Sequence, residues 1–272
     1  MKNILITGST DGIGKLAAIQ LAKEGHAVFL HGRNTDKLTR VISEIKELSR
    51  NENIKGFVAD FSDLDTVTRM TEEIKAELQS LDILINNAGI FKSSQNQTQE
   101  GFDIRFAVNY LAPYVLTNTL LPLLKKGENP RIVNLSSAAQ APVSVAALEG
   151  KETISTQEAY AQSKLALTMW GFDLAYREPT VQVLAVNPGS LLNTKMAKEA
   201  YGQHWAPAEK GANILFDLAV SEKYNGVTRE YFDNDKGSDK GVFSNAHEDA
   251  YDLLKVKNLI SVTEKIIEKV TV

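Results

Sequence analysis

The 272-residue chain contains no cysteine. Disulfides, thiolate nucleophiles and cysteine-held metals are therefore excluded, and cysteine usage is silent about the redox compartment. Four histidines, His26, His31, His204 and His247, lie scattered without metal-ligand spacing, so each reads as structural or surface. No apolar run approaches the length of a membrane span. The net charge is only −4, and no basic run is long enough to suggest nucleic acid. The nearest, Lys125-Lys126, reads as a solvated helix end. An apolar run begins by Asn3, which leaves no room for a leader and sets the expectation of a cytoplasmic protein.

Regularity is what the chain does have. From residue 1 to about 190, short apolar runs alternate with amphipathic stretches, the pattern of βαβ units. Strands are expected at 3–6, 27–31, 54–59, 81–86, 131–135 and 181–186, with a short one at 230–232. Helices are expected after residue 14 and at 35–49, 63–79, 99–125, 156–177, 207–221 and 247–269. Pro113 implies a kink or break within 99–125. The pattern predicts a single α/β domain over 1–272: a Rossmann-type, doubly wound parallel sheet with helices on both faces. The substrate side is expected mainly in 138–156 and 190–272.

Between the first strand and the first helix stands Thr7-Gly8-Ser9-Thr10-Asp11-Gly12-Ile13-Gly14. In that context a glycine turn reads as phosphate binding, because glycine lets the backbone approach and free N–H groups at the helix start face negative charge. Ligands of such sheets sit beyond the carboxyl ends of the strands. There the chain collects Gly32-Arg33, Asp60, Asn86-Asn87-Ala88-Gly89, Ser136-Ser137 and Asn187-Pro188-Gly189. Tyr160 and Lys164, four apart on a helix, share one face. An ammonium beside a phenol favours the phenolate.

Taken in order, the glycine turn, Asn86 to Gly89, Asn109, Ser137, Tyr160-x-x-x-Lys164 and Asn187-Pro188-Gly189 resemble the motifs of a classical short-chain dehydrogenase/reductase. Tyr231-Phe232, a polar loop and a last helix resemble the retinol-dehydrogenase and WW-domain-oxidoreductase-like branch. The resemblance implies Tyr160 as general acid and base, with Lys164 lowering its pKa and meeting the nicotinamide ribose. It implies Ser137 as the group orienting the substrate oxygen and Asn109 as holder of a water that links Lys164 to solvent. Ser136 competes with Ser137, since successive strand residues point to opposite sides; the resemblance favours Ser137. It further implies a dinucleotide cradled by Gly8, Ser9, Thr10, Asp11, Gly12, Ile13 and Gly14. Asp60 and the Phe61 backbone would meet adenine, and Asn87, Ala88 and Gly89 would follow the adenosine side. Pro188, Gly189 and Leu191 would edge the nicotinamide, with Thr194 near its carboxamide. The interval from Ser137 to Tyr160 is longer than in compact members, and the extra residues at 143–156 are expected to loop over the substrate side.

The second strand ends in His31-Gly32-Arg33-Asn34, without the carboxylate that binds a ribose 2′-hydroxyl. Arg33 suits a 2′-phosphate instead, so NADP(H) is expected over NAD(H), although Asp11 in the glycine loop argues the other way. The reading is an NADP(H)-dependent oxidoreductase for a small carbonyl or alcohol substrate, apolar in character. Phe91, Leu148, Tyr201 and Trp205 are candidates to line its cleft. A silent NADP(H) sensor is the alternative. A homo-oligomer through the helices at 99–125 and 156–177 is open.

Overall fold

The structure, a computed structural model, describes residues 1–237 and 241–270 and all but the side chain of Tyr201 among them. Seven parallel strands form its centre: β1 (Asn3–Ile6), β2 (Ala27–Gly32), β3 (Ile54–Val58), β4 (Ile83–Asn86), β5 (Arg131–Leu135), β6 (Gln182–Asn187) and β7 (Glu230–Asp233). β8 (Val242–Ser244) closes one edge antiparallel to β7. The order is β3-β2-β1-β4-β5-β6-β7-β8, which reverses between β1 and β4, where doubly wound sheets open a crevice. The antiparallel β8 departs from an all-parallel sheet; three residues after a glycine-rich loop carry no pattern long enough to read.

The helices, in chain order, are α1 (Gly12–Lys23), α2 (Thr35–Ser49), α3 (Leu64–Glu77), α4 (Ile104–Phe106) and α5 (Ala112–Leu124). They continue with α6 (Val145–Leu148), α7 (Thr156–Arg177), α8 (Lys195–Tyr201), α9 (Ala208–Val220) and α10 (Leu253–Val270). Strand alternation sorts the core into two layers. Ile4, Ile6, Val28, Leu30, Ile83 and Ile85 pack against α1, α2 and α9. Leu5, Phe29, Leu84, Ile132 and Val183 pack against α3, α5, α7 and α10. Both faces are covered, so the strands read as nearly continuous apolar runs.

Local signals explain most boundaries. Asn34 caps α2 by accepting the Lys37 N–H at 2.8 Å. Asp63 caps α3, accepting the Asp65 and Thr66 N–H groups. Ser155 and Glu158 form a reciprocal capping box at the start of α7. The expected 99–125 helix begins only at Ile104, where the Asp103 carboxylate accepts the Arg105 N–H. It is then interrupted by a π-helical turn, Ala107–Leu111, with the Ala112 N–H bonded to the Ala107 carbonyl. Pro113 follows directly, so the missing donor falls where the helical ladder is already shifted. The polar stretch near 194–206 contains α8, and a 3₁₀ turn, Glu248–Ala250, precedes α10.

Candidate active site

β1 runs into Thr7, whose Oγ1 accepts the N–H groups of Asn87 and Ala88, each at 3.0 Å. Asn87 returns its amide to the carbonyls of Thr7 (2.8 Å) and Gly8 (3.0 Å), locking the glycine turn onto the end of β4. Gly8 has φ +62°, and a Cβ there would lie 2.7 Å from the Ala88 Cα. At Gly14 a Cβ would collide with the Asn87 amide. Both positions thus require glycine, one for conformation and closeness, the other for closeness alone. Beyond the turn opens a cavity of about 1060 Å³, bordered by Gly8, Thr10, Asp11, Gly12, Ile13 and Gly14. Ser9 does not border the cavity. It is fully buried, its hydroxyl donates to the Ile6 carbonyl at 2.9 Å and accepts the His31 N–H at 3.0 Å, and it staples β1 to β2.

His31 is structural in a way the sequence did not show. Its Nδ1 accepts the Gly8 N–H at 3.0 Å, and its Nε2 lies 3.0 Å from the Ala59 carbonyl. A carbonyl only accepts and an amide N–H only donates, so the ring is neutral with its proton on Nε2. The ring stacks on Phe61 at 4.2 Å. Burial drives its pKa down to about 4.

The chemistry-bearing groups meet between β5 and α7. Lys164 is buried, and its Nζ donates to the Leu135 carbonyl at 2.7 Å. Desolvation brings its pKa down to about 8. The Tyr160 ring centroid is 5.7 Å from that Nζ and sits edge-on to Phe91 at 5.0 Å. Both serines border the cavity, but the buried Ser136 hydroxyl is committed to the Lys164 carbonyl (3.1 Å) and Thr168 (2.7 Å). Ser137 is half-buried, and its hydroxyl accepts the Ala139 N–H at 3.1 Å. Asn109 occupies the π turn. Its amide accepts the Ile90 N–H at 2.8 Å and donates to the Ile90 carbonyl (3.1 Å) and to Ser163 (3.0 Å). A Cβ on Gly89 would stand 3.3 Å from Lys164 Nζ and 3.2 Å from Asn109 Oδ1, so this glycine lets the β4 end close on the lysine.

The remaining candidates fall into two groups. Arg33 and Lys37 border the far end of the cavity. Among the described residues no carboxylate pairs with the exposed Arg33, whereas Lys37 pairs with Asp11 at 2.7 Å. Asp60 and Phe61 border the cavity too, Asp60 accepting the Ser62 N–H and hydroxyl. Asn87, Ala88, Gly89, Pro188, Gly189 and Leu191 lie along it. Thr194 caps α8, and its methyl would be 3.7 Å from a Cβ on Gly12, beside the glycine turn.

The extra residues at 143–156 stand away from the cavity. They fold into α6, bury Ala147 and Leu148 in the core, and press Gly150 against the Gly101 carbonyl; none borders the cavity. Only Ala138 and Ala139 of the expected 138–156 region border it. Leu148 is therefore a core residue, because its apolar neighbours give it a drier home than the cleft. Ile90, Phe91, Ile104, Val108, Leu191, Met196 and Trp205 supply the apolar lining, with Trp205 73% exposed at the rim. The side chain of Tyr201 lies outside the described residues. Among the described residues no helix is long and apolar enough to cross a membrane.

A glycine turn at the reversal point of a doubly wound sheet, with a tyrosine and a buried lysine at the same edge, places the chain among Rossmann-type proteins. Residues 2–205 match the family model of the short chain dehydrogenases, and the chain belongs to that family. Human polyprenol dehydrogenase is 32% identical over 256 residues, covering 85% of this chain and 76% of that protein. Mouse retinol dehydrogenase 12 is 32% identical over 248 residues, covering 86% and 78%. These relatives accord with the retinol-dehydrogenase-like branch. A Shigella flexneri 2a short chain dehydrogenase complexed with NADP is 28% identical, with a TM-score of 0.71 over 86% of this chain and 97% of that one. An Escherichia coli CFT073 short chain dehydrogenase complexed with NADPH is 26% identical, with a TM-score of 0.72 over the same shares.

Proposed function

We propose that the protein interconverts a carbonyl and an alcohol on an apolar small molecule with NADP(H), within one domain over 1–272. The observation that carries this reading is that Tyr160, the buried Lys164 and the Ser137 hydroxyl share a cavity with the glycine turn. The residues present fit such a cofactor. Gly8, Gly12 and Gly14 of the turn border the cavity, and Arg33, which pairs with no carboxylate among the described residues, follows β2 where that strand ends without a carboxylate to repel a 2′-phosphate. NADP and NADPH in the Shigella and E. coli relatives support the same preference. Apolar lining on the tyrosine side supports an apolar substrate, and the curated relatives named for retinol and polyprenol are named for apolar alcohols.

A bound nicotinamide supplies or accepts the hydride. Tyr160 donates its phenolic proton to the substrate oxygen in reduction and takes it back in oxidation. Ser137 orients that oxygen by hydrogen bonding. Lys164 places positive charge beside the phenol and would hold the cofactor ribose. The Asn109 amide is committed to Ile90 and Ser163, so we assign its side chain to bracing Lys164's surroundings rather than to holding a water.

The test is turnover of a panel of aldehydes, ketones and quinones with NADPH and NADH, followed at the nicotinamide absorbance. Tyr160→Phe should lower turnover by about 10²–10⁴-fold while NADPH still binds. Activity that survives this change would sink the mechanism. Arg33→Ala should erase the preference for NADPH, and an unchanged preference would refute the phosphate assignment.

A further inference from the structure

One cluster of charged groups lies outside the roles assigned above. At the carboxyl end of β7 the chain reads Asp233-Asn234-Asp235, and these three residues hold the segment that follows β6. Both oxygens of Asp235 lie within hydrogen-bonding distance of the Ser190 N–H, at 3.0 and 2.9 Å. Its Oδ2 also accepts the Ser190 hydroxyl at 2.6 Å and the Asn187 amide at 2.9 Å. Lys210 stands 4.0 Å away. Burial opposes the charge, but the Ser190 and Asn187 bonds prevail and keep the carboxyl below its ordinary pKa. Asp233 takes the other Asn187 proton at 2.9 Å, and the Asn234 amide donates to the Pro188 carbonyl at 2.8 Å.

The held segment needs holding. Gly189 has φ +120°, and Leu191, a branched residue, is forced to φ +48°. A non-glycine residue in the left-handed region is strained, and such a conformation persists only when its surroundings over-determine it. The same turn borders the cavity through Pro188, Gly189 and Leu191, and leads into Thr194 and α8. A fixed carboxylate from a different strand thus sets the backbone on which this side of the cavity is built.

We infer that Asp235 is a positioning residue for the nicotinamide end of the site, acting through Ser190 and Asn187 to fix the strained 187–192 turn. This rests on the cofactor reading above, in which that turn edges the nicotinamide. Asp235 itself touches no reacting atom. Its removal should therefore weaken a ligand that reaches the turn and spare one that ends at the adenosine.

The experiment compares wild type with Asp235→Ala and with Asp235→Asn, which keeps one acceptor oxygen for Ser190. NADPH binding is titrated by nicotinamide fluorescence, and adenosine 2′,5′-bisphosphate by its displacement of NADPH. Limited trypsin cleavage at Lys195 and Lys198, on α8, is followed in parallel. Asp235→Ala should weaken NADPH about tenfold and change the bisphosphate by less than about twofold, with Asp235→Asn in between. Cleavage in α8 should accelerate in the same order. Equal weakening of both ligands would mean a general structural role and overturn the inference, as would NADPH affinity unchanged in both variants. If the wild type binds neither ligand, the cofactor reading fails and this inference with it. Tryptic cleavage as slow in both variants as in wild type would overturn the clamp whatever the ligands do.

Discussion

Lys164 places an ionisable group where an apolar one would pack at less cost. Its native pKa of about 8 lies below the ordinary 10.5, because burial penalises the ammonium. Between those values the unfolded chain binds the proton more tightly, so stability rises with pH across that window and the full cost is carried below pH 8. That cost is on the order of 3 kcal/mol. Lys164→Met should relieve it while leaving the Leu135 carbonyl without its donor, which takes back about 1–2 kcal/mol. The expected outcome is a melting temperature raised by roughly 2–6 °C at pH 7, an advantage that fades towards pH 10.5, together with lost carbonyl reduction. A melting temperature below wild type at pH 7 would reverse this account. His31 gives a pH signature of the same sign at the acid end. Its native pKa of about 4 against the ordinary 6.5 means that the unfolded chain takes a proton the native state refuses. Stability should fall as pH drops from 6.5 to 4, by up to about 3 kcal/mol, since protonated His31 cannot accept the Gly8 N–H and Asp60 is too weak a counter-charge to compensate. Urea midpoints at pH 7 and pH 4.5 check this: His31→Gln should lose less than wild type on acidification. Equal losses would remove His31 from the explanation.

At the scale of elements, what could be read from the sequence was whatever follows a period or a local backbone rule. Six parallel strands and the helices between them were legible because both faces of the sheet are buried and each helix keeps an apolar stripe. The glycine turn between β1 and α1 and the i, i+4 spacing of Tyr160 and Lys164 on α7 could be read because strand–turn–helix order and helical periodicity are written locally in the chain. Three features were not. The π turn at Ala107–Leu111 leaves the apolar pattern almost undisturbed, and only Pro113 hinted that the helix changes register there. Ser9 and His31 bond across 22 residues of chain, so neither sequence position carries a trace of the other. The segment 143–156 carries no local signal that Ala147 and Leu148 join the main core while Gly150 packs against Gly101. The open question of pairing through 156–177 also changes character. Every residue from 161 to 172 on α7 is buried within the one chain, so the middle of that helix presents no free face.

For the whole molecule, the consequence is that the C-terminal helix and the candidate site belong to one packed unit. Tyr110 follows Asn109 in the π turn, is fully buried, and its hydroxyl meets Thr263 of α10 at 2.7 Å. Thr263 in turn donates to the Leu259 carbonyl at 2.8 Å, so with that proton engaged it accepts from Tyr110. Burial raises the Tyr110 pKa far above its ordinary value, which keeps the phenol neutral and a donor. Thr263→Val keeps the shape but strands a buried hydroxyl, at a cost of about 1–3 kcal/mol. Tyr110→Phe removes that hydroxyl while Thr263 keeps its bond to Leu259, so it should cost only about 0.5–1.5 kcal/mol. Once the phenol is gone, Thr263→Val has little left to strand, and the double variant should be clearly more stable than the sum of the two losses predicts. Urea unfolding of the four proteins measures the coupling. Strict additivity would show that α10 is merely laid against the π turn, and that the brace around Asn109 and Lys164 stands without it.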